Sequence, residues 1–349
     1  MAKSVKTSKM PLPVADPQKA GSWGHAAGRI WVREKALLGR TGFDRLFSLA
    51  SIDEIKRLLL EHGYPQQDTV KEMLIWAREE LYELLAEIAP DDRFWQLLLL
   101  DDDACNLKIA LKTVLSDEAP EEESFTKKLS RPSLISHELI WRHAIRADKD
   151  ANLPEWADYI VGRAREAFSA HYDFASIDRS VDYDIAAMKA KLAEPLKEPW
   201  LSRYFAMTRD LKNLETLLRA KHRKTAETVY EESLLPGGLI EKKRWIECFD
   251  ADDQHCIDGL CDTPYKPLSS YFVFYREKGG AAAFAKDRDN LLYAELERGS
   301  SMLSGAQRVM AYVMARECEY KNIRLVLSIL EDGLDRASVG TLRRDFQKR

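Results

Sequence analysis

The chain has 349 residues, of which 53 are basic and 57 acidic, and its formal net charge is −4. A surface so close to neutral has no general attraction for nucleic acid or anionic lipid, so we expect no nucleic-acid partner. With 16 glycines and 13 prolines the chain has few turn formers, which favours helices over a multistranded sheet. Its length predicts more than one domain.

The first elements are predicted from residue spacing and turn residues. Residues 1–21 carry lysines and prolines but few large apolar side chains, and they predict a mobile basic tail. A helix is expected from Gly24 to Leu38, closed by Gly39 to Gly42. A second helix begins at Ser51, because Glu54 follows at capping-box spacing, and Gly63 ends it.

Longer helices follow. Apolar residues predict a helix from Val70 to Ile88 and another from Phe94 to Leu115, the latter buried on two faces at the centre of a bundle. Later helices are expected at Leu134 to Ile145, Ala157 to Tyr172, Ile185 to Leu192 and Trp200 to Ala220. The short apolar run from Tyr271 to Tyr275 is the only stretch where a strand remains an alternative to a helix.

A signature of the form acid-x-x-Asn-aliphatic recurs at intervals of 107 and 109 residues, together with its flanking pattern of apolar residues. The three copies predict an internal repeat whose unit is longer than in ordinary solenoids and can enclose its own core. We therefore expect an all-α protein with three similar helical-bundle domains, at residues 22–131, 132–239 and 240–349. The signature residues are Asp103, Asn106, Leu107, Asp210, Asn213, Leu214, Glu319, Asn322 and Ile323.

The acid and the Asn of each signature lie on one helix face, within reach of a hydrogen bond between their side chains. The favoured interpretation is structural: the pair fixes the register of a helix within its domain. Direct contact with a partner protein is the alternative.

Residue patterns give no support for catalysis. The chain has neither G-x-x-x-x-G-K-[ST] nor a G-x-G-x-x-G after a strand, and its histidines do not combine into a Ser-His-acid triad. His255, Cys256 and Cys261 lie close in sequence but lack a second ligand pair at zinc-site spacing. We expect no catalytic residue, no metal and no cofactor. Five cysteines without framework spacing predict reduced thiols in the cytosol.

At its three signatures, and in the runs Gly28–Leu38, Asp287–Leu292 and Ala311–Arg324, the chain resembles the C subunits of the archaeal and bacterial V/A-type rotary ATPases. The same family includes the d subunits of the eukaryotic vacuolar ATPases. The resemblance implies an all-helical funnel with a pseudo-threefold axis, which receives the foot of the central shaft and sits on the membrane ring of proteolipid subunits.

The resemblance also implies a function without chemistry. The chain would be a central-stalk rotor adapter that transmits torque for ion transport and for ATP synthesis or hydrolysis. Its partners would be shaft subunits of the D and F type and the proteolipid ring, so it would lie on the cytoplasmic face and meet the membrane only through the ring. The alternatives are a free-standing helical scaffold and a metal-dependent enzyme that uses His255, Cys256 and Cys261.

Overall fold

The computed structural model describes residues 10–16, 21–116, 118–300 and 305–345, and within these ranges the chain is helical with no strand. The α-helices of the first half are α1 Trp23–Arg33, α2 Gly39–Ser48, α3 Ile52–Glu61, α4 Val70–Ile88, α5 Asp92–Leu115, α6 Glu122–Thr126, α7 His137–Ile140, α8 Glu155–His171 and α9 Phe174–Ala193. The second half contains α10 Pro199–Arg223, α11 Glu227–Ser233, α12 Lys242–Asp250, α13 Asp253–Leu260, α14 Tyr271–Phe274, α15 Gly280–Ser300, α16 Ala306–Asp332 and α17 Arg336–Gly340. The predicted all-α class is confirmed.

Local signals set several helix ends where the sequence predicts them. Ser51 and Glu54 form the capping box that starts α3, and α4 has the predicted bounds. Gly63 follows α3 with a φ of +74°, a conformation that disfavours residues with a Cβ. A second capping box, made by Thr69 and Glu72, starts α4.

The helix α5 runs without a break through its signature and is buried on opposite sides, as predicted. Leu97 and Leu99 point about 200° apart around the helix axis, and both are almost fully buried. The corresponding helices α10 and α16 also continue through their signatures. These three helices of 24, 25 and 27 residues are the longest in the described chain.

The run from Tyr271 to Tyr275, for which a strand was an alternative, contains the helix α14, and Tyr271 packs against Phe284 in the core. One local expectation is wrong. The first helix ends at Arg33, and Gly39 begins α2 instead of closing α1. Gly39 has a φ of +59° and follows a short 3₁₀ turn at Glu34–Ala36.

Contacts divide the chain into two compact units, residues 1–18 with 91–198 and residues 19–90 with 199–349. In the first unit α5 packs against α8 and α9. The expected mobile tail lies partly outside the described residues. Its described part pairs with the start of α5, since Gln96 donates to the carbonyl of Val14 at 2.7 Å and Asp92 donates its N–H to the carbonyl of Asp16 at 3.1 Å.

The second unit contains two clusters of buried side chains. In one cluster α10 packs with residues from Tyr230 to Phe284. In the other cluster α16 packs with the N-terminal helices α2, α3 and α4, so the first and last parts of the chain share a core. The three-domain boundaries and the funnel stay predictions.

Candidate functional site

The nine signature residues lie near the middle of α5, α10 and α16, and all nine side chains are buried. Asp103, Asn106, Asp210 and Asn322 are exposed by no more than 1%, although each carries a polar group. A buried polar group is costly unless it is hydrogen-bonded, so the partners of these side chains define what the signature does.

Each signature Asn binds the backbone of one residue that lies 22 or 24 positions further along the chain. Asn106 accepts from the N–H of Ser130 at 2.6 Å and donates to its carbonyl at 3.0 Å. Asn213 does the same to Leu235, at 2.8 and 2.9 Å. Asn322 does the same to Arg344, with both distances 2.9 Å. The amide thus replaces a backbone partner for a segment that has left the helix.

The first two signature acids hold the backbone a few residues beyond the Asn contact. Asp103 accepts from the N–H groups of Leu134 and Ile135, both at 3.0 Å. Asp210 accepts from Leu239 at 2.6 Å and Ile240 at 3.1 Å. A carboxylate can accept several hydrogen bonds at once, which suits it to a segment that has two successive free N–H groups.

The third acid takes its backbone donor from the other end of the chain. Glu319 accepts from the N–H of Leu38 at 2.5 Å and from the hydroxyl of Tyr64 at 2.9 Å. Arg316 also pairs with it at 2.8 Å, and the guanidinium lies 4.3 Å from the ring centre of Tyr64. The acid of the third signature therefore holds the N-terminal segment, whereas the first two acids hold the segment that follows them.

Burial raises the pKa of all three signature acids. The pKa of Asp103 rises to about 7, since burial outweighs the two backbone N–H groups that favour the charged form. The pKa of Asp210 is also raised by burial, against the lowering effect of Tyr265 and two backbone N–H groups. Burial raises the pKa of Glu319 despite Arg316.

The observed hydrogen bonds differ from the one that the sequence suggests. Acid and Asn share a helix face, as the spacing requires, but each pair reaches across to the backbone of another segment. A mutual bond would leave that backbone unsatisfied, whereas the observed arrangement gives the backbone groups their partners. On the side-chain side, Oδ1 of Asp210 is buried without a hydrogen-bond partner. Partner contact by these side chains stays a prediction that their burial does not favour.

Several residues near the signature side chains lie outside the five-residue signature. Gly238 passes so close to Asp210 that a Cβ there would lie 1.8 Å from its Oδ1. The hydroxyl of Tyr265 donates to the other oxygen of Asp210 at 2.7 Å. Buried Asp289 pairs with Lys321 at 2.7 Å and with Arg344 at 3.1 Å. Asp289 belongs to one of the runs that carry the family resemblance, but the contacts of Gly238, Tyr265 and Asp289 are recognised only once the chain is folded.

The cysteine-bearing loop has ordinary structural roles. Asp252 caps α13 by accepting from the N–H of His255, and the thiol of buried Cys256 donates to the carbonyl of Cys248. Cys261 is exposed. Across the described residues, no three His, Cys, Asp or Glu side chains are placed to hold one metal ion.

The described helices also lack any that is both long and apolar enough to cross a membrane.

Comparison with known proteins identifies the family. The model of the ATP synthase (C/AC39) subunit family matches residues 26–341. The chain belongs to this family. The C subunit of the V-type ATP synthase of Thermus thermophilus is 25% identical over 335 residues, which cover 92% of this chain and 98% of that protein. The C subunit of the V-type sodium ATPase of Enterococcus hirae is 20% identical over 301 residues, 84% of this chain and 90% of that protein.

Family membership makes the chain a non-catalytic subunit of a V-type ATPase, with other subunits of that complex as its partners. The match includes all three signatures, since Asp103 and Ile323 both lie within residues 26–341.

Proposed function

We propose that this chain is the central-stalk adapter of a V/A-type rotary ATPase, joining shaft subunits of the D and F type to the proteolipid ring of the membrane. The observation that carries the proposal is the match over nearly the whole chain to a family of V-type ATPase subunits. The adapter would lie on the cytoplasmic face and meet the membrane through the ring.

Torque transmission requires a part that deforms little under load. In the described part of the chain, the three longest helices are each hydrogen-bonded near their middles to a separate segment, through the buried side chains of Asn106, Asn213 and Asn322. Close-packed interiors are stiff, and a bidentate clamp removes one way for a segment to slide along its helix. This geometry supports a mechanical role for the signatures within the subunit.

Contacts between the N-terminal helices and the C-terminal part of the chain support the same role. Glu319 holds Leu38, and Arg336 donates to the carbonyls of Phe47 and Leu49 at 2.6 and 2.7 Å. Arg343 pairs with Asp44 at 2.5 Å. A load applied to the N-terminal helices would pass directly to α16 and to the segment that follows it through these contacts.

Co-purification tests the proposal. A tagged copy expressed in its native host should bring down shaft and proteolipid subunits, and an unrelated helical protein with the same tag should not. Recovery of the chain alone would favour a free-standing scaffold. Stoichiometric zinc in the purified chain, measured by elemental analysis, would favour the metal-dependent alternative.

A further inference from the structure

Two buried cysteines lie together across the turn between α12 and α13. Cys248 is near the end of α12 and Cys256 near the start of α13, and the thiol of Cys256 donates to the carbonyl of Cys248 at 3.2 Å. The sulfur of Cys248 lies 4.0 Å from the place where a Cβ on Gly259 would stand. Cys256 and Gly259 share one face of α13, since they are three residues apart. The side chain of Cys248 therefore lies against the same face of α13 that carries Cys256.

Positively charged side chains come close to this pair from two helices. Arg244 lies one turn before Cys248 on α12 and donates to the carbonyl of Gly259. Lys221 of α10 donates to the carbonyl of Ala251, in the turn between α12 and α13, at 2.6 Å. Positive charge near a thiol favours its ionised form, so these side chains bear on the chemistry of Cys248.

The two thiols differ in how readily they lose a proton. Hydrogen bonding with Cys256 is the largest cause that lowers the pKa of Cys248 to about 7, and burial opposes it. His255, Arg244 and Lys221 lower this pKa further. The pKa of Cys256 is raised, first by hydrogen bonding with Cys248 and then by burial. Near neutral pH, Cys248 thus supplies a thiolate, the reactive form of cysteine, beside a thiol that keeps its proton.

We propose that Cys248 and Cys256 are a redox-active pair, which hydrogen peroxide oxidises to a disulfide and a small thiol reduces again. The sulfur of Cys248 attacks one oxygen of the peroxide and breaks its O–O bond, so that Cys248 becomes a sulfenic acid. The hydroxide that leaves takes up the proton lost by the thiol and becomes water. The sulfur of Cys256 then attacks the sulfur of Cys248, and the sulfenic hydroxyl leaves with the proton of Cys256 as a second water.

The reaction balances within the pair and one peroxide. Two thiols and one hydrogen peroxide give one disulfide and two waters, so the sulfurs lose two electrons and the peroxide gains two. Two molecules of a small thiol reverse the change and become a disulfide themselves. In the reduced chain the pair has only its packing and hydrogen-bonding contacts.

The place of the pair in the fold favours a bond within it. Only Ala251 and Asp252 separate α12 from α13, so the disulfide closes a short turn and joins no distant segments. Cys248 is 6% exposed and Cys256 is fully buried. A small uncharged oxidant therefore suits the site better than the thiol of another protein.

Cys261 provides a control in the same segment. It is exposed and follows Cys256 by five residues, about 140° further around the helix. Its thiol donates to the carbonyl of Ile257 at 3.5 Å. Folding thus places Cys256 next to Cys248, whereas in the unfolded chain the shorter separation favours a bond between Cys256 and Cys261.

Mass spectrometry of the full chain tests the pairing. The folded chain is treated with hydrogen peroxide and then unfolded with an alkylating agent, and peptide fragmentation locates the modified cysteines. We expect Cys248 and Cys256 to lose alkylation together, in a peptide lighter by two hydrogens, and dithiothreitol to restore it. The same treatment in denaturant should shift the pairing towards Cys261. Free Cys248 and Cys256 after oxidation, or a disulfide of either with Cys261 in the folded chain, would overturn the proposal.

Trapping the sulfenic acid tests which sulfur reacts first. In Cys256→Ala, the sulfenic acid of Cys248 has no thiol to resolve it, so dimedone, which labels sulfenic acids, should label Cys248. The wild-type chain should lose this label as its disulfide forms. In the matched variant Cys248→Ala, Cys256 should stay unlabelled. A label on Cys256 there, or none on Cys248 in Cys256→Ala, would refute the assigned roles. Circular dichroism checks the fold of both variants, and the pairing test on the wild-type chain does not depend on them.

Discussion

At the scale of single residues, the buried Asn and acid side chains of the signature act as hydrogen-bond partners for backbone groups of other segments. Asn213 supplies an acceptor and a donor to Leu235, and Asp210 supplies an acceptor to Leu239 and Ile240. The sequence reveals that these residues recur, but it cannot reveal their partners. The segments held by the first two acids share a Leu-Ile pair after a proline, at Leu134-Ile135 and Leu239-Ile240. The contacts are made to backbone atoms, which every residue possesses, so the side chains of these segments do not show which group each signature residue binds.

Replacing Asn213 with alanine should lower the free energy of unfolding by about 1–3 kcal/mol, because both backbone groups of Leu235 lose their partner. Chemical denaturation followed by circular dichroism measures the change. Asn152→Ala is the control, since Asn152 is exposed, and a surface change of this kind should stay within about 0.5 kcal/mol. Equal losses of unfolding free energy in the two variants would show that the hydrogen bonds between Asn213 and Leu235 do not stabilise the fold.

The raised pKa of Asp103 predicts a dependence of stability on pH. Between about pH 4 and pH 7 the folded chain keeps a proton that the unfolded chain has lost, so the free energy of unfolding falls as the pH rises. Asp103→Asn should reduce this fall, measured as the change in Tm between about pH 5 and pH 7.5. Asp184, whose pKa burial raises to about 6, contributes in the same direction and will leave part of the fall in place. An unchanged fall in the variant would contradict the assignment.

Two glycines should respond to alanine in opposite directions. Gly238→Ala places a Cβ against the carboxyl of Asp210 and should cost about 1–3 kcal/mol of stability. Gly162→Ala adds a methyl group to an exposed position inside α8 with nothing within 4 Å, and should stabilise by about 0.5–1 kcal/mol. Thermal unfolding of both variants gives the signs, and a stabilising Gly238→Ala would show that the close approach is absent.

At the scale of elements, local patterns predict a helix well where its ends are set by its own residues. The bounds of α4 follow from apolar spacing and from the proline after it, and the start of α3 follows from Ser51 and Glu54. The start of α2 could not be predicted in this way. It depends on Leu38, whose N–H binds Glu319, a residue 281 positions away.

The end of α2 gives a test at this scale. Arg336 donates to the carbonyls of Phe47 and Leu49, the last of which caps the helix. Arg336→Ala should therefore let α2 fray, and hydrogen exchange of peptides covering residues 43–51 should speed up. Arg40→Ala removes an exposed arginine near the start of the same helix and should leave that exchange unchanged. Unchanged exchange in Arg336→Ala would mean that the C-terminal segment does not support α2.

At the scale of the whole molecule, the predicted all-α class is confirmed over the described residues, and so is the resemblance to the C subunits of V-type ATPases. The three-domain repeat stays a prediction. The repeats do not predict that the two ends of the chain share one core. In the sequence the three copies appear only as successive segments. In the folded chain, Glu319 accepts from the N–H of Leu38 and so connects α16 to the N-terminal helices of the same unit. A part that transmits torque, the role proposed here, would benefit from this connection.

The most direct test of the adapter role compares ion pumping with ATP hydrolysis in the same enzyme. Membrane vesicles carrying the complete ATPase would be assayed for both activities before and after this subunit is removed, and again after the purified chain is added back. We expect hydrolysis by the soluble part to persist, pumping to be lost on removal, and pumping to return on addition. Pumping that survives without the chain would contradict the proposal that it couples shaft to ring.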